Sequence, residues 1–192
     1  MNLLVFAGST RQLSFNRQLA HAAAELARNA GAKVTQLELS TLSIPLYNAD
    51  LEAQGTPPDV IRLKEIMDVH PAWLICSPEY NGSYTGLLKN TIDWASSPVR
   101  GHPAWGSSGR PFAGKVIGLL SASNGALGGL RSLSHLTPLL LNLQCWVCPQ
   151  QFALSRASEA FDSQGRLQDE MQRMSVQSVI DQVLWAGARL QP

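Results

Sequence analysis

Charged side chains make up only 15% of the 192 residues, against roughly 25% in an ordinary soluble domain. Fifteen Lys and Arg nearly balance fourteen Asp and Glu, leaving +1 with histidine neutral. No field of one sign therefore favours nucleic acid or an anionic membrane as partner. Cysteine is scarce as well: Cys76, Cys145 and Cys148 are too few, and odd in number, for a disulfide framework, which fits a reducing compartment. No uncharged apolar run approaches the ~18 residues needed to cross a bilayer. Met1-Asn2-Leu3-Leu4-Val5-Phe6 carries neither a basic n-region nor a long apolar h-region, so the expectation is a cytoplasmic protein without membrane insertion. Apolar residues reach 45%, which excludes disorder over most of the chain. The length suits one compact domain over residues 1–192. A surface so poor in charge should expose apolar patches, and a second copy is the simplest cover, so a homo-oligomer, dimer or tetramer, is expected.

Short apolar runs alternate with amphipathic stretches, the pattern of strands alternating with helices in a parallel sheet. Leu3 to Ala7 reads as a buried first strand, followed by a helix from Phe15 that Asn29-Ala30-Gly31 stops. Lys33 to Leu39 reads as a strand, then an irregular stretch, then a helix at about 59–69. A strand over Trp73 to Ser77 ends at Pro78 and leads into a helix from about Thr85 to Ser96. The Pro- and Gly-rich segment from Ser97 to Gly114 reads as a long ordered loop. Val116 to Leu120 is the next strand. A Leu-rich helix follows Gly128-Gly129, and Pro138 should kink or interrupt it. Leu143 to Cys148 is expected to close the sheet, and Arg166 to Leu190 to form a last helix with Leu167, Met171, Met174, Val179, Ile180, Val183 and Leu184 facing the core. The expected architecture is α/β, doubly wound and five-stranded, order 2-1-3-4-5, with helices on both faces. Ligands in such sheets bind outside the carboxyl ends of the strands at the topological switch point, which singles out the loops beginning at residues 8, 78 and 121.

The loop from Gly8 to Asn16 joins a buried strand to a helix N-terminus, where free amides and the positive dipole end attract an anion. Ser9, Ser14 and Asn16 add neutral donors, and Arg11 adds a charged fork suited to phosphate. Neither a Gly-Lys-Ser/Thr ending nor Gly-x-Gly-x-x-Gly is present, so a monophosphate fits better than a nucleoside triphosphate or a dinucleotide. The plain alternative is that Ser14 only caps the helix and Arg11 is a solvated cation. Pro78-Glu79-Tyr80-Asn81-Gly82 offers an aromatic face, an amide and backbone donors for a ring-shaped ligand, although these are also ordinary turn formers. Ser121-Ala122-Ser123, with the glycines that follow, lets backbone come close to a flat group.

On these residues the chain resembles the flavodoxin-like NADPH-dependent FMN reductases, which include quinone, azo-dye and chromate reductases. Gly8-Ser9-x-Arg11-x-x-Ser14-x-Asn16 is similar to that family's FMN phosphate loop, and Pro78-Glu79-Tyr80-Asn81 to its isoalloxazine loop. Ser83-x-x-Gly86-x-Leu88-Lys89-Asn90-x-Ile92-Asp93-Trp94, Pro45-Leu46-Tyr47-Asn48 with Asp50, and Pro111 to Lys115 also match its landmarks, so the resemblance runs from residue 3 to about 130. It implies a flavodoxin-like domain that binds FMN through Ser9, Arg11, Ser14, Phe15 and Asn16 at the phosphate. Pro78, Glu79, Tyr80, Asn81, Gly82, Ser121, Ala122 and Ser123 would lie at the ring, with Glu79 turned away and contributing backbone. NADPH or NADH would donate hydride, and a quinone, azo compound, metal oxyanion or free flavin would accept the electrons by a ping-pong mechanism. The cofactor performs the difficult step, so no strictly catalytic side chain is expected. The segment from Ser97 to Arg110, with His102, Trp105 and a Ser107-Ser108-Gly109 tip, is longer than the family pattern and is expected to shape the mouth of the pocket.

Cys145-Trp146-Val147-Cys148 has redox spacing, but in a strand its thiols would point to opposite faces, and core packing is the simpler role. His21, His70, His102 and His135 show no metal-ligand spacing. A flavodoxin-like electron carrier or a flavin-binding sensor is the competing class, and a nearly neutral chain argues against a carrier that docks basic partners.

Overall fold

The computed structural model describes residues 1–107 and 109–190, so Ser108 of the expected loop tip lies outside the described residues. The chain order is β1 (Asn2–Ala7), α1 (Phe15–Asn29), β2 (Lys33–Leu37), α2 (Ala49–Gln54), α3 (Pro58–Asp68), β3 (Ala72–Cys76), α4 (Gly86–Ser96), β4 (Val116–Ala122), α5 (Leu130–Asn142), β5 (Trp146–Leu154) and α6 (Glu170–Leu190). Short 3₁₀ turns at Leu39–Thr41 and Ala157–Glu159 complete it. All pairings are parallel and the strand order is β2-β1-β3-β4-β5, as the sequence pattern implies.

Alternation along the central strands sorts their side chains into two cores. Leu3, Val5, Ala72, Leu74 and Cys76 face α1 and α6, whereas Leu4, Phe6, Trp73 and Ile75 face α3, α4 and α5. Both faces are covered, which is why β1 and β3 read as unbroken apolar runs. Each fully buried Leu, Ile or Phe contributes about 1.5–3 kcal/mol. Gly118 lets α6 lie close on the sheet, since a Cβ there would overlap Val183 and Leu74.

Several elements differ from expectation. The last strand is Trp146–Leu154 rather than 143–148. Gln144, at φ +63, turns the chain out of α5, and the amide of Cys145 still bonds the Leu140 carbonyl at 3.1 Å. As an edge strand with a register shift between Ile117 and Leu119, β5 tolerates Gln150 and Gln151, which hid it. Pro138 lies inside α5 without ending it. The last helix begins at Glu170, not Arg166, because Phe161 and Leu167 bridge in a turn organised by Asp162. That carboxylate accepts from the amides of Gln164 and Arg166 at 2.8 and 2.9 Å. Met171 and Met174 are exposed rather than core, while Val176, Val179, Ile180 and Val183 are buried. Helix α2 arises inside the stretch read as irregular, capped by the Asn48 side chain, which accepts from the Asp50 amide at 2.7 Å.

The segment from 97 to 114 also lies elsewhere than expected. Because α4 runs back from the carboxyl end of β3, this loop emerges at the amino ends of the strands, opposite the switch point. There Gly114 bonds Gln144 and Val116 bonds Pro71, at 2.9 and 3.1 Å. His102 stacks on Trp105 at 4.1 Å within the loop and lines no mouth of the switch-point crevice.

Candidate active site

At the carboxyl end of β1 the Gly8 amide bonds the Cys76 carbonyl at 2.9 Å, and a Cβ at Gly8 would stand 3.1 Å from Leu88 Cβ. The Thr85 hydroxyl donates to the Gly8 carbonyl at 2.7 Å and accepts from the Leu88 amide at 3.1 Å, joining the strand end to the first turn of α4. Beyond Gly8, Ser9 Oγ accepts from the Arg11 amide at 3.3 Å, and the Arg11 carbonyl accepts from the Ser14 amide at 3.1 Å. The first backbone bond of α1 is Gln18 to Ser14, at 3.1 Å, so the amides of Phe15, Asn16 and Arg17 have no carbonyl partner among the described residues. Ser14 sits at the N-cap but makes no side-chain cap bond, so the plain capping role is not the one it fills. The exposed Arg11 guanidinium lies 5.6 Å from the Phe15 ring. Free amides, hydroxyls and an uncommitted fork of N–H donors suit a dianionic phosphate monoester.

Residues 80–83 form a tight turn in which the Tyr80 and Ser83 amides bond each other's carbonyls at 2.8 and 3.1 Å. Asn81 and Gly82, at φ +52 and +81, occupy its centre, the Asn-Gly type I′ arrangement. The amides of Asn81 and Gly82 have no partner among the described residues and stand as a pair of fixed donors. The turn is thus not the flexible backbone its composition suggests.

Side chains expected on the ligand are in part committed elsewhere. Asn16 is only 3% exposed, and its amide donates to the Ala122 carbonyl at 2.8 Å while accepting from the Ala122 amide at 3.0 Å. It ties α1 to the end of β4 instead of reaching toward an anion. With Ala122 occupied and the Ser123 amide on the Leu154 carbonyl at 3.0 Å, the backbone of residues 122 and 123 supplies a wall rather than donors. Ser121 is fully buried, its hydroxyl donating to the Ser77 carbonyl at 2.7 Å.

One cavity of about 180 Å³ gathers Ser9, Arg11, Ser14, Phe15 and Asn16 from the first loop, Pro78, Glu79 and Tyr80 from the second, and Ala122, Ser123 and Asn124 from the third. Asn81 and Gly82 lie outside its lining, and Ser121 lies behind it. A hollow of about 290 Å³ shares Ser9, Arg11 and Tyr80 and extends to Thr85, Gly86 and Leu87. Sequence reasoning missed Arg17, whose guanidinium donates to the Arg11 carbonyl at 3.3 Å and pairs with Glu38 at 2.9 Å. It also missed Arg131, which only three-dimensional proximity connects to the loops, and it gave no role to Thr85 or to Asn124, although Asn124 directly follows Ser123 in the third loop.

Cys145 and Cys148 line neither hollow. Burial pushes the Cys145 thiol up to about 12 and Cys148 to about 11, the reverse of a redox nucleophile. Cys145 lies before β5, not within a strand, and the two pack in different cores.

Comparison with known proteins gives concordant results. The family model for NADPH-dependent FMN reductase matches residues 1–159. An NAD(P)H-dependent FMN reductase of Pseudomonas aeruginosa is 37% identical over 188 residues, covering 96% of this chain and 95% of that protein. A quinone reductase of Pseudomonas putida is 35% identical over 183 residues, covering 94% and 91%. The solved structure of a flavoenzyme NAD(P)H:(acceptor) oxidoreductase from Paracoccus denitrificans superposes with a TM-score of 0.79 at 28% identity, covering 96% and 97%.

Proposed function

The chain belongs to the NADPH-dependent FMN reductase family, and from that premise we propose that it is an FMN-dependent NAD(P)H oxidoreductase whose acceptors are quinones. Relatives named FMN reductase and quinone reductase across more than nine-tenths of this chain support the reading. The observation that carries it is the set of donors at the switch point: uncapped amides at the start of α1, Arg11 beside them, and the paired amides of the Asn81-Gly82 turn. Ser9, Arg11, Ser14 and the amides of residues 15–17 would hold the phosphate. Tyr80, Asn81 and Gly82 would meet the ring system, and Ala122 and Ser123 would wall it. Bound there, FMN supplies the acceptance of hydride and its onward delivery as electrons.

The residues of the chain are left with binding, orientation and electrostatics, and none has to act as nucleophile or general acid. The fixed amides of the 80–83 turn would favour the electron-rich form of a ring bound beside them, without reorganisation. Donor and acceptor would take turns at the hollow beyond Tyr80, in a ping-pong sequence. Azo compounds, metal oxyanions and free flavin are further acceptors for the same face, and residues 1–192 act as one FMN-binding domain. No helix among the described residues is long and apolar enough to cross a membrane. We assign self-association to the exposed apolar side chains, including Trp146 and Trp185, that the low charge content foreshadows.

The test is the visible spectrum of purified protein before and after FMN addition and desalting, followed by anaerobic NADPH. Paired flavin bands that bleach are expected, with NADPH then consumed continuously when a quinone is present. Bands that persist point to a carrier or sensor, and absence of retained flavin overturns the assignment.

A further inference from the structure

Helix α5 starts without a cap of its own. Its N-cap residue is Gly129, in the left-handed region at φ +94, and no acidic residue lies in its first turn. The missing acceptor comes from another loop. Glu79 Oε2 accepts from the Arg131 amide at 3.2 Å, and Oε1 accepts from Arg131 Nε at 2.7 Å and pairs with Nη2 of the same guanidinium. The Glu79 side chain is only 10% exposed, while that of Arg131 is 62% exposed. A carboxylate at a helix N-terminus is favoured by both the free amide and the dipole.

The same stretch of α5 grips the loop at two further points. Ser132 Oγ lies 2.6 Å from Ser77 Oγ, and His135 Nδ1 lies 3.1 Å from Ser83 Oγ. The helix end is itself packed closely on the sheet, because a Cβ at Gly128 would stand 2.6 Å from the backbone of Ala153 and one at Gly129 would overlap Ser121 Oγ. Residues 77–83 are thus strapped at their start, middle and end to a helix packed on the sheet.

We propose that Glu79 and Arg131 are positioning residues, acting as one unit that fixes the loop of residues 78–82, which enters the cavity through Pro78, Glu79 and Tyr80 and carries the Asn81-Gly82 amides at its rim, and thereby sets flavin affinity and potential. This deepens the FMN reading and rests on it. The carboxylate has spent its oxygens on α5, so it serves neither as a proton relay nor as a ligand. Because the unit lies at the ring end of the site, its loss should weaken FMN and riboflavin alike, whereas loss of Arg11 at the phosphate end should weaken FMN alone.

The experiment is a double-mutant cycle with Glu79→Ala, Arg131→Ala and the pair, with Glu79→Gln as a milder variant that keeps an acceptor for the helix. FMN and riboflavin titrations, the flavin band positions, the midpoint potential and the melting temperature are measured for each. We expect Glu79→Ala to weaken both flavins about tenfold, the loss of a charge-assisted hydrogen bond, Glu79→Gln to weaken them less, and the double variant to be no worse than Glu79→Ala. The double variant removes no net charge, so a lower potential in it reports displaced amides. Wild-type protein that binds no flavin overturns the FMN reading itself. Wild-type binding with unchanged affinity, bands and potential in the variants, or losses that simply multiply in the double variant, overturns the positioning unit.

Discussion

At the amino ends of the strands the Lys64 ammonium is buried against the carbonyls of Ala95 and Ser97, at 2.7 and 2.6 Å, and Lys115 Nζ caps the Asp68 carbonyl at 2.6 Å. The Trp73 indole donates to His70 at 2.9 Å, and the long loop bonds back on Ser96, Gln144 and itself. The Trp105 indole N–H is the exception there, buried without a partner among the described residues, whereas at the carboxyl ends unpartnered backbone donors gather. Asn16, Thr85, Ser121 and Glu79 spend their side chains on holding loops in place, while the amides of residues 15–17, Asn81 and Gly82 have no partner among the described residues. Amide donors held in place by committed side chains, and left without a protein partner among the described residues, make this the end of the sheet suited to an anionic or polar ligand.

The contrast breaks most severely at Gly129. Gly129→Ala puts a Cβ onto Ser121 Oγ at φ +94 and should cost roughly 3–5 kcal/mol, read by chemical denaturation, with flavin retention lost in parallel. Its counterpart at the other end is Lys64→Met, which leaves the two carbonyls at the end of α4 without donors. A loss of about 2–4 kcal/mol is expected with the flavin Kd unchanged. Burial lowers Lys64 from 10.5 to about 8. Between those values the unfolded chain holds a proton the folded chain has released, so wild-type stability should rise as pH climbs from about 8 to about 10.5. The Met variant should lack that rise, and denaturation curves across the interval decide it.

A substitution confined to binding sharpens the comparison. Arg11 is exposed and makes no ion pair among the described residues, so Arg11→Ala should leave the melting temperature alone. It should weaken FMN roughly 10- to 150-fold, the equivalent of about 1.5–3 kcal/mol. Riboflavin affinity should not move, and equal losses for both flavins would take Arg11 off the phosphate.

The sheet order was legible because Leu3–Ala7, Trp73–Cys76 and Val116–Leu120 are buried on both faces and so carry unmixed apolar runs. Of the two edge strands, β2 was legible from its alternation, but β5 was read only as far as Cys148, since half of it meets solvent and Gln150 and Gln151 look like loop. The loops of the site announced themselves by residue type, but the roles of their side chains did not. Asn16 is as good a phosphate donor on paper as Ser14, and only the return of β4 to its side, 106 residues later, turns it into a strut. Glu79 and Arg131 stand 52 residues apart and are joined only by the crossover that brings α5 over the end of β3.

The placement of residues 97–114 carries the smallest predicted effect and the clearest division between the two ends. A helix that leaves the carboxyl end of β3 must deliver the chain to the amino end before β4 can run parallel. His102 therefore works within its own loop, where Nδ1 accepts from the Trp105 amide at 3.1 Å and the ring stacks on the indole. His102→Ala should cost stability about 0.5–1.5 kcal/mol for the lost hydrogen bond and stacking. Flavin Kd and quinone turnover should change by less than about twofold, the scatter expected of distant, uncoupled sites. Measuring turnover at several protein concentrations makes the result decisive. A larger effect that vanishes on dilution would place this loop at the site of a second copy, and one that persists would mean that the amino end of the sheet communicates with the flavin through the strands themselves.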